Sequence, residues 1–433
     1  MNTCQATALP LYSLSHLPPL EQKDESIQQE ILSKSIQRWS DNFLKNEYHE
    51  GIDFLQLPFD EKSIGKIKEV AEKMLTFQPT DVIVCGIGGS TQGLKAITGA
   101  LYGTDNIQKT KIHFAETIDP LSIGSLFALL ETHEQQVNFS PLLVIISKSG
   151  TTQETLINAS LLITYIKKFS NPNQRICIIS EETSPLSKYA TENNFYHLPI
   201  PGVISGRFST FSAVGLLPAA LCGVNIMLLC LGAKHATERL LKNDSEQNPL
   251  ILHAIHTYLQ SKKYPVHTFF FPYPALGGLG NLIRQFYAES LGKIDKKGNC
   301  VGIYPSCAYF TTDLHSILQF FLQGSRCTLT TFIEGAPTAS YAYNQPIPAL
   351  LPQQMFDGLN PATIHQQFIT AVYEAYTEQQ IPFIKIDLGI ITPRIIGALI
   401  TEYMATTVML GELYGINPFD QPAITLYKKH LHL

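Results

Sequence analysis

The chain has 433 residues, 45% of them apolar, with 31 basic and 36 acidic side chains and a formal net charge of -5. That length exceeds what one hydrophobic core ordinarily fills, so two core-bearing domains are expected. The near-balance of charge, without long single-sign runs, argues against a nucleic-acid partner or an anionic membrane surface and for a small diffusing ligand.

From Asp81 onward, short apolar runs alternate with longer helical stretches. Asp81 to Cys85 reads as a buried strand, followed by glycines and a helix through Leu94 and Ile97 to about Leu101. Lys111 to Ala115 is a strand and Ser122 to Leu130 a helix; Leu142 to Ile146 is a third strand, opening into a helix from Glu154 to Lys168; Arg175 to Ile179 is a fourth strand. Continuous apolar strands separated by helices predict a parallel sheet covered on both faces. Ala213 to Ala233 is uncharged and about as long as a bilayer span. Pro218, Gly223 and Asn225 interrupt it and no second span accompanies it, so a buried core helix is expected.

The order then partly repeats. Strands are expected at His267 to Phe271, Cys300 to Tyr304, Thr328 to Ile333 and Phe383 to Ile386. Helices are expected from Gly277, over Thr312 to Phe321, over Pro361 to Glu378 and over Thr392 to Tyr414. The division that follows is an N-terminal extension over 1–44, a first α/β unit over 45–244, a second over 245–415 and a tail over 416–433. The linker falls around Lys242 to Pro249. In such sheets ligands sit at the carboxyl ends of the strands.

The cysteines Cys4, Cys85, Cys177, Cys222, Cys230, Cys300, Cys307 and Cys327 are scattered without a C-x-x-C pair. They read as small buried hydrophobes in a reducing compartment, framing neither disulfides nor a zinc site. The amino terminus lacks the basic start and unbroken apolar stretch of an export signal, so the cytoplasm is the expected location.

Motifs stand where the alternation puts them. Ser147 to Thr155, SKSGTTQET, runs from a strand into a helix, where free N–H groups and the positive end of the helix dipole favour an anion. Five hydroxyls, of Ser147, Ser149, Thr151, Thr152 and Thr155, surround it with the ammonium of Lys148. Capping the helix needs one such residue, and the surplus points to phosphate. Gly86 to Gly93, GIGGSTQG, occupies the same place after the first strand; its third glycine is misplaced for a dinucleotide fingerprint.

Three further segments read less sharply. Gln285 and Glu289, in QFYAESLGK, share a helical face; among apolar neighbours Glu289 suits a proton-transfer base, and a solvated helix glutamate fits the segment equally. Arg207 in GRFSTFS suits either stabilisation of a developing oxyanion or a surface ion pair. His315, in TDLHSILQ, begins an expected helix, and most lone histidines are structural. His253 and His256 have too few neighbouring ligands for a metal.

Taken in order, GIGGS, SKSGTTQET, GRFS followed by VGLLPAA, QFYAESLGK, TDLHSILQ and NPFDQP with a lysine seven residues after its glutamine resemble the glucose-6-phosphate isomerase, or phosphoglucose isomerase, family, in a compact bacterial-like form. The matches span positions 86 to 428. Departures are Ser205-Gly206 for a glycine pair before the arginine, and Ala423-Ile424-Thr425 where the family carries Gly-Val-Glu.

The resemblance implies two sugar-isomerase (SIS) domains, each a mainly parallel flavodoxin-like sheet flanked by helices, a tail completing the site, and a homodimer. It implies reversible conversion of glucose 6-phosphate and fructose 6-phosphate through a cis-enediolate, in glycolysis and gluconeogenesis, with no metal or other cofactor. By resemblance Gly88, Ser90, Ser147, Lys148 through its backbone, Ser149, Thr152 and Thr155 hold the phosphate, and Gln285 and Gln421 line the pocket. Glu289 is the base, Arg207 the cation beside the reacting oxygens, and His315 and Lys428 open the sugar ring, His315 reaching in from the other subunit. A non-catalytic sugar-phosphate sensor on the same domains needs only the phosphate loops, so the joint presence of Glu289, Arg207, His315 and Lys428 argues against it. A nicotinamide-dependent oxidoreductase is disfavoured by the glycine spacing.

Overall fold

The computed structural model describes residues 10–14, 16–45, 51–103, 110–242, 248–336, 345–348, 350 and 358–431. Among the described residues twelve strands follow in chain order: β1 Leu11–Ser13, β2 Asp81–Cys85, β3 Lys111–Ala115, β4 Pro141–Ile146, β5 Ile176–Ser180, β6 Tyr196–Pro199, β7 Val266–Phe271, β8 Lys293–Ile294, β9 Cys300–Val301, β10 Tyr304–Tyr309, β11 Thr328–Ala336 and β12 Phe383–Ile390.

The first sheet is all parallel, in the order β3-β2-β4-β5-β6. That is the doubly wound order in which the chain reverses direction between its first and third strands, leaving a crevice at their carboxyl ends. Every residue of β2, β4 and β5 is buried, which is why these strands read as unbroken apolar runs.

The second sheet runs β1-β12-β11-β7-β10, and the four strands from the second half of the chain are parallel in the same order as the first four strands of the first sheet. The place of a fifth strand is taken by β1, antiparallel along β12. The N-terminal segment thus belongs to the second sheet. Tyr12 in β1 donates to Glu402 Oε2 at 2.9 Å, and Arg239 meets the other oxygen of that buried carboxylate.

Several expected elements end elsewhere. The strand expected at Cys300 to Tyr304 is broken at Gly302, which adopts φ +120°. Cys300 and Val301 pair with Lys293 and Ile294 instead, and the sheet strand starts at Tyr304, with Pro305 tolerated because β10 is an edge. The helix expected over Thr312 to Phe321 is a 3-10 turn, Thr312–His315, followed by a helix Leu318–Gln323. Asp313 closes that turn by accepting from the Tyr309 N–H at 2.7 Å and from Ser316 Oγ at 2.8 Å. The apolar run at Ala213 to Ala233 forms two buried-faced helices, Ala213–Leu221 and Ile226–Leu241, and Asn225 caps the second by accepting from the N–H groups of Met227 and Leu228. Among the described residues no helix is long and apolar enough to cross a membrane. Of the expected linker, residues 243–247 lie outside the described residues.

One continuous core runs through both sheets and the helices between them. Its axis is the helix Pro393–Tyr414, buried over most of its length. Close helix contact is possible because Gly232 and Gly397 carry no side chain: a β-carbon at Gly232 would lie 1.8 Å from the Arg394 carbonyl oxygen, and one at Gly397 2.0 Å from that of Leu229. The helix Gly277–Leu291 of the second half similarly meets the helix Gln92–Tyr102 of the first, a β-carbon at Gly278 falling 2.5 Å from the Lys95 carbonyl oxygen. This contact carries residues of the second half to the crevice of the first sheet.

Candidate active site

The loop after β4 enters the helix Gln153–Ile166 with Thr152 at the cap position, and no side chain caps the helix there. Thr152 Oγ1 instead accepts from Ser147 Oγ at 3.0 Å, and Ser149 and Thr151 pair their hydroxyls at 2.9 Å. The first-turn N–H groups of the helix are therefore left without a capping side chain, at the positive end of its dipole. Thr155, 2% exposed, has a hydroxyl without a hydrogen-bond partner among the described residues. These residues, with Ser90, Glu181 and Gln421, line one open pocket of about 790 Å³.

Lys148 contributes less charge to this pocket than its place in the motif suggests. Its ammonium donates to the Gly202 carbonyl at 2.6 Å and lies 3.6 Å from a carboxylate oxygen of Glu181. The cradle is thus built from hydroxyls and backbone N–H groups.

The glycine loop after β2 brings the motifs together. A β-carbon at Gly89 would lie 2.4 Å from the backbone carbon and oxygen of Gly206 and 2.8 Å from the nitrogen of Arg207; one at Gly88 would sit 3.3 Å from Gln285 Nε2. GIGGS, GRFS and QFYAES are therefore in contact although more than a hundred residues separate the first from the second.

Arg207 is fully buried and its donors are nearly all assigned. Nη1 donates to Glu289 Oε1 at 2.8 Å, Nε to Ser290 Oγ at 2.8 Å, and Nη2 to the carbonyls of Pro418 at 2.6 Å and Asp420 at 3.3 Å. A guanidinium has five N–H groups, so among the described residues one Nη1 hydrogen has no acceptor. Burial lowers the Arg207 pKa and Glu289 and Asp420 oppose that shift, but a guanidinium keeps its proton near neutral pH. The second oxygen of Glu289 accepts from Gln285 Nε2 at 3.0 Å, while the Gln285 carbonyl oxygen is buried without a partner among the described residues. Glu289 itself is partly exposed, with 22% of its side-chain surface accessible. A carboxylate held by a fixed cation and an amide, with an open side, can take up and return a proton.

Other expected residues are placed differently. His315 is exposed, at the carboxyl end of the edge strand β10, and among the described residues no hydrogen bond or ion pair joins it to Glu289 or Arg207. Lys428 ends the short helix Ile424–Lys428, and its side chain lies outside the described residues. Lys293, Asp420 and Glu181 are not among the site residues expected from the sequence. Lys293 closes the ESLGK motif and Asp420 lies within NPFDQP, so the signal was present in the motifs themselves.

One group of side chains among the described residues could hold a metal ion: Asp81, His113 and His133, all buried. It lies at the amino end of β2, opposite the crevice. His113 Nε2 is 2.6 Å and His133 Nδ1 2.8 Å from the same Asp81 oxygen, so the cluster is knit by its own hydrogen bonds. Burial alone would raise the Asp81 pKa, yet hydrogen bonds from His113, Thr80 and His133 outweigh it and hold it below the usual carboxylate range.

Comparison with known proteins follows the same lines. Residues 61–432 match the family model for phosphoglucose isomerase. A glucose-6-phosphate isomerase of Alkaliphilus metalliredigens is 30% identical over 405 residues, covering 88% of this chain and 86% of that protein. One of Thermus thermophilus is 29% identical over 398 residues, covering 87% and 88%. Among solved structures, a hypothetical protein from Thermus thermophilus superposes with a TM-score of 0.81 at 26% identity, covering 98% of each chain. A glucose-6-phosphate isomerase from Chlamydia trachomatis shares the fold, with a TM-score of 0.78 at 19% identity over 97% of this chain and 87% of that one.

Proposed function

This chain belongs to the phosphoglucose isomerase family, and from that premise we propose how its own residues interconvert glucose 6-phosphate and fructose 6-phosphate. The enzyme moves a proton between C1 and C2 of the open-chain sugar, and the constellation Arg207–Glu289–Gln285 beside the hydroxyl-lined pocket carries the reading.

Ser90, Ser147, Ser149, Thr152 and Thr155, with the backbone at Gly88 and Lys148, hold the phosphate. That anchor fixes the reacting carbons over Glu289, which is how binding far from the chemistry lowers its barrier. Glu289 removes the proton from one carbon and returns it to the other, with Gln285 fixing its second oxygen. The enediolate gathers negative charge on its oxygens, and the remaining Nη1 hydrogen of Arg207 faces that charge without changing protonation state. Gln421 lines the phosphate end. Ring opening needs an acid and a base before the proton transfer, and His315 and Lys428 take these parts, His315 from the second subunit of a homodimer. None of these steps calls for a metal or redox cofactor. The scattered cysteines, without a C-x-x-C pair, fit a reducing cytoplasmic setting.

The test is a coupled assay of fructose 6-phosphate conversion. Glu289→Gln keeps the shape and the Gln285 contact and removes the base, so kcat falls by about 10²- to 10⁴-fold with KM little changed. Normal turnover in that variant overturns the assignment of Glu289. A wild-type chain that binds the sugar phosphate without converting it is the sensor instead.

A further inference from the structure

The tail that delivers Gln421 to the phosphate pocket is held by a second buried cation. Lys293, the last residue of ESLGK and the first of β8, has only 8% of its side-chain surface exposed. Its ammonium donates to the carbonyl of Asn417, to the carbonyl of Asp420 at 3.0 Å and to Asp420 Oδ1 at 2.8 Å. An ammonium has three N–H donors and no more, so all of them are committed to the tail. From the other side Arg207 Nη2 takes the carbonyls of Pro418 and Asp420. The carbonyls of 417, 418 and 420 are thus gathered between two cations, one rooted after the first sheet and one at the end of the helix that carries Glu289.

The rest of the tail fits the same docking. Phe419 lies over Gly51, where a β-carbon would fall 2.1 Å from its ring, and packs against Phe208 at 5.5 Å between centroids. Asn417 Oδ1 accepts from the Phe419 N–H at 2.9 Å, which sets the bend that points the carbonyls inward. Gln421 follows Asp420 directly and reaches the pocket wall.

We propose that Lys293 is a positioning residue of the isomerase: by collecting the Asn417 and Asp420 carbonyls it docks the tail, and through the tail it sets Gln421 and shares out the donors of Arg207. The second effect is chemical. Two tail carbonyls occupy Nη2, which leaves Glu289 a single bond to Nη1 in place of a two-point grip. A carboxylate clamped by both arms of a guanidinium is a weaker base, because a bidentate pair stabilises its charged form further. Undocking the tail therefore frees Nη2 to turn on Glu289 and costs proton transfer as well as phosphate placement. Burial pulls the Lys293 pKa down against the pull of Asp420, which marks how poorly the site tolerates this ammonium without its tail partners.

This inference rests on the reading of Glu289 and Arg207 given above, and the test keeps the two apart. Lys293→Met, Lys293→Arg and Asp420→Asn are made in the full chain. For each, kcat and KM for fructose 6-phosphate, the thermal midpoint, and the rate of tryptic cleavage after Lys428 and Lys429 are measured. Lys293→Met is expected to lower kcat by about tenfold or more, a loss of the size of one charge-assisted contact, and to speed tail cleavage while the rest of the chain stays protected. Lys293→Arg restores most of both. Asp420→Asn, which keeps the carbonyl contacts, shows a smaller shift in the same direction and covers the case in which Lys293→Met does not fold. Wild-type kcat and tail protection in Lys293→Met overturn the proposal, as does a loss that Lys293→Arg fails to rescue in a folded chain. Tail protection is read without turnover, so a failure of Glu289 as the base leaves the docking test intact.

Discussion

At the scale of single residues, the donors of the proposed phosphate cradle point in different directions. Ser147 and Thr152 bond each other across the helix entrance, Thr155 holds an unassigned hydroxyl in the pocket, and the Lys148 ammonium is turned onto Gly202 and Glu181. A hydrogen bond to a charged group contributes about 1.5–3 kcal/mol, whereas a half-solvated ion pair contributes about 0–1 kcal/mol. Removing one cradle hydroxyl, as in Thr155→Val or Ser147→Ala, should therefore raise KM for fructose 6-phosphate by about tenfold or more. Lys148→Met should change it by less than about threefold, because the variant keeps the backbone N–H and loses only an outward contact. Inhibition by inorganic phosphate, measured alongside, should weaken in the same order. A collapse of phosphate affinity in Lys148→Met with intact affinity in Thr155→Val would reverse this assignment.

At the scale of elements, the crevice depends on backbones that approach closely, and the glycine loop shows the cost of filling one contact. Gly89→Ala places a methyl 2.4 Å from the Gly206 backbone, in a position where neither chain segment can yield by a side-chain rotation. Overpacking of this kind costs about 1–3 kcal/mol of stability, and here it also pushes Arg207 away from Glu289. The variant should fold with a lower thermal midpoint and lose kcat/KM by more than the stability change alone produces. Equal activity at a temperature where both proteins are folded would show that the loop does not position Arg207. Legibility in the sequence follows the same physics. The inner strands β2, β4 and β5 are buried on both faces and so announce themselves as apolar runs, and β3 and the helix Pro361–Glu378 fall at their expected bounds. β1 is not legible in the sequence, because three residues borrowing the edge of β12 leave no periodic signal. The break in Cys300 to Tyr304 is set by one glycine's φ, and the turn at His315 by the Asp313 carboxylate folding back on Tyr309. Neither is encoded in hydrophobic spacing. The expected site residues stand in motifs, but the contact of Gly89 with Gly206 and the carbonyl contacts of Lys293 are tertiary and leave no local signal.

At the scale of the whole molecule, the described chain brings Glu289, Arg207 and the hydroxyl-lined pocket close together, while His315 stands exposed in the 3-10 turn after the edge strand β10. If ring opening uses His315 of a second subunit, each site in a two-fold dimer takes Glu289 from one chain and His315 from the other, since an isologous pair shares its residues reciprocally. Glu289→Gln and His315→Asn homodimers should then both be nearly inactive on the ring form. Mixing them under conditions that exchange subunits builds heterodimers in which one site has both intact residues and the other has neither. Random exchange makes half of the dimers mixed, so activity should recover to about a quarter of the wild-type level per site. If His315 instead serves its own chain, every site in the mixture keeps one defect and no recovery occurs. Supplying open-chain substrate separates the two steps further: His315→Asn should then regain turnover as a homodimer, because its defect lies before proton transfer, while Glu289→Gln should stay inactive on either form.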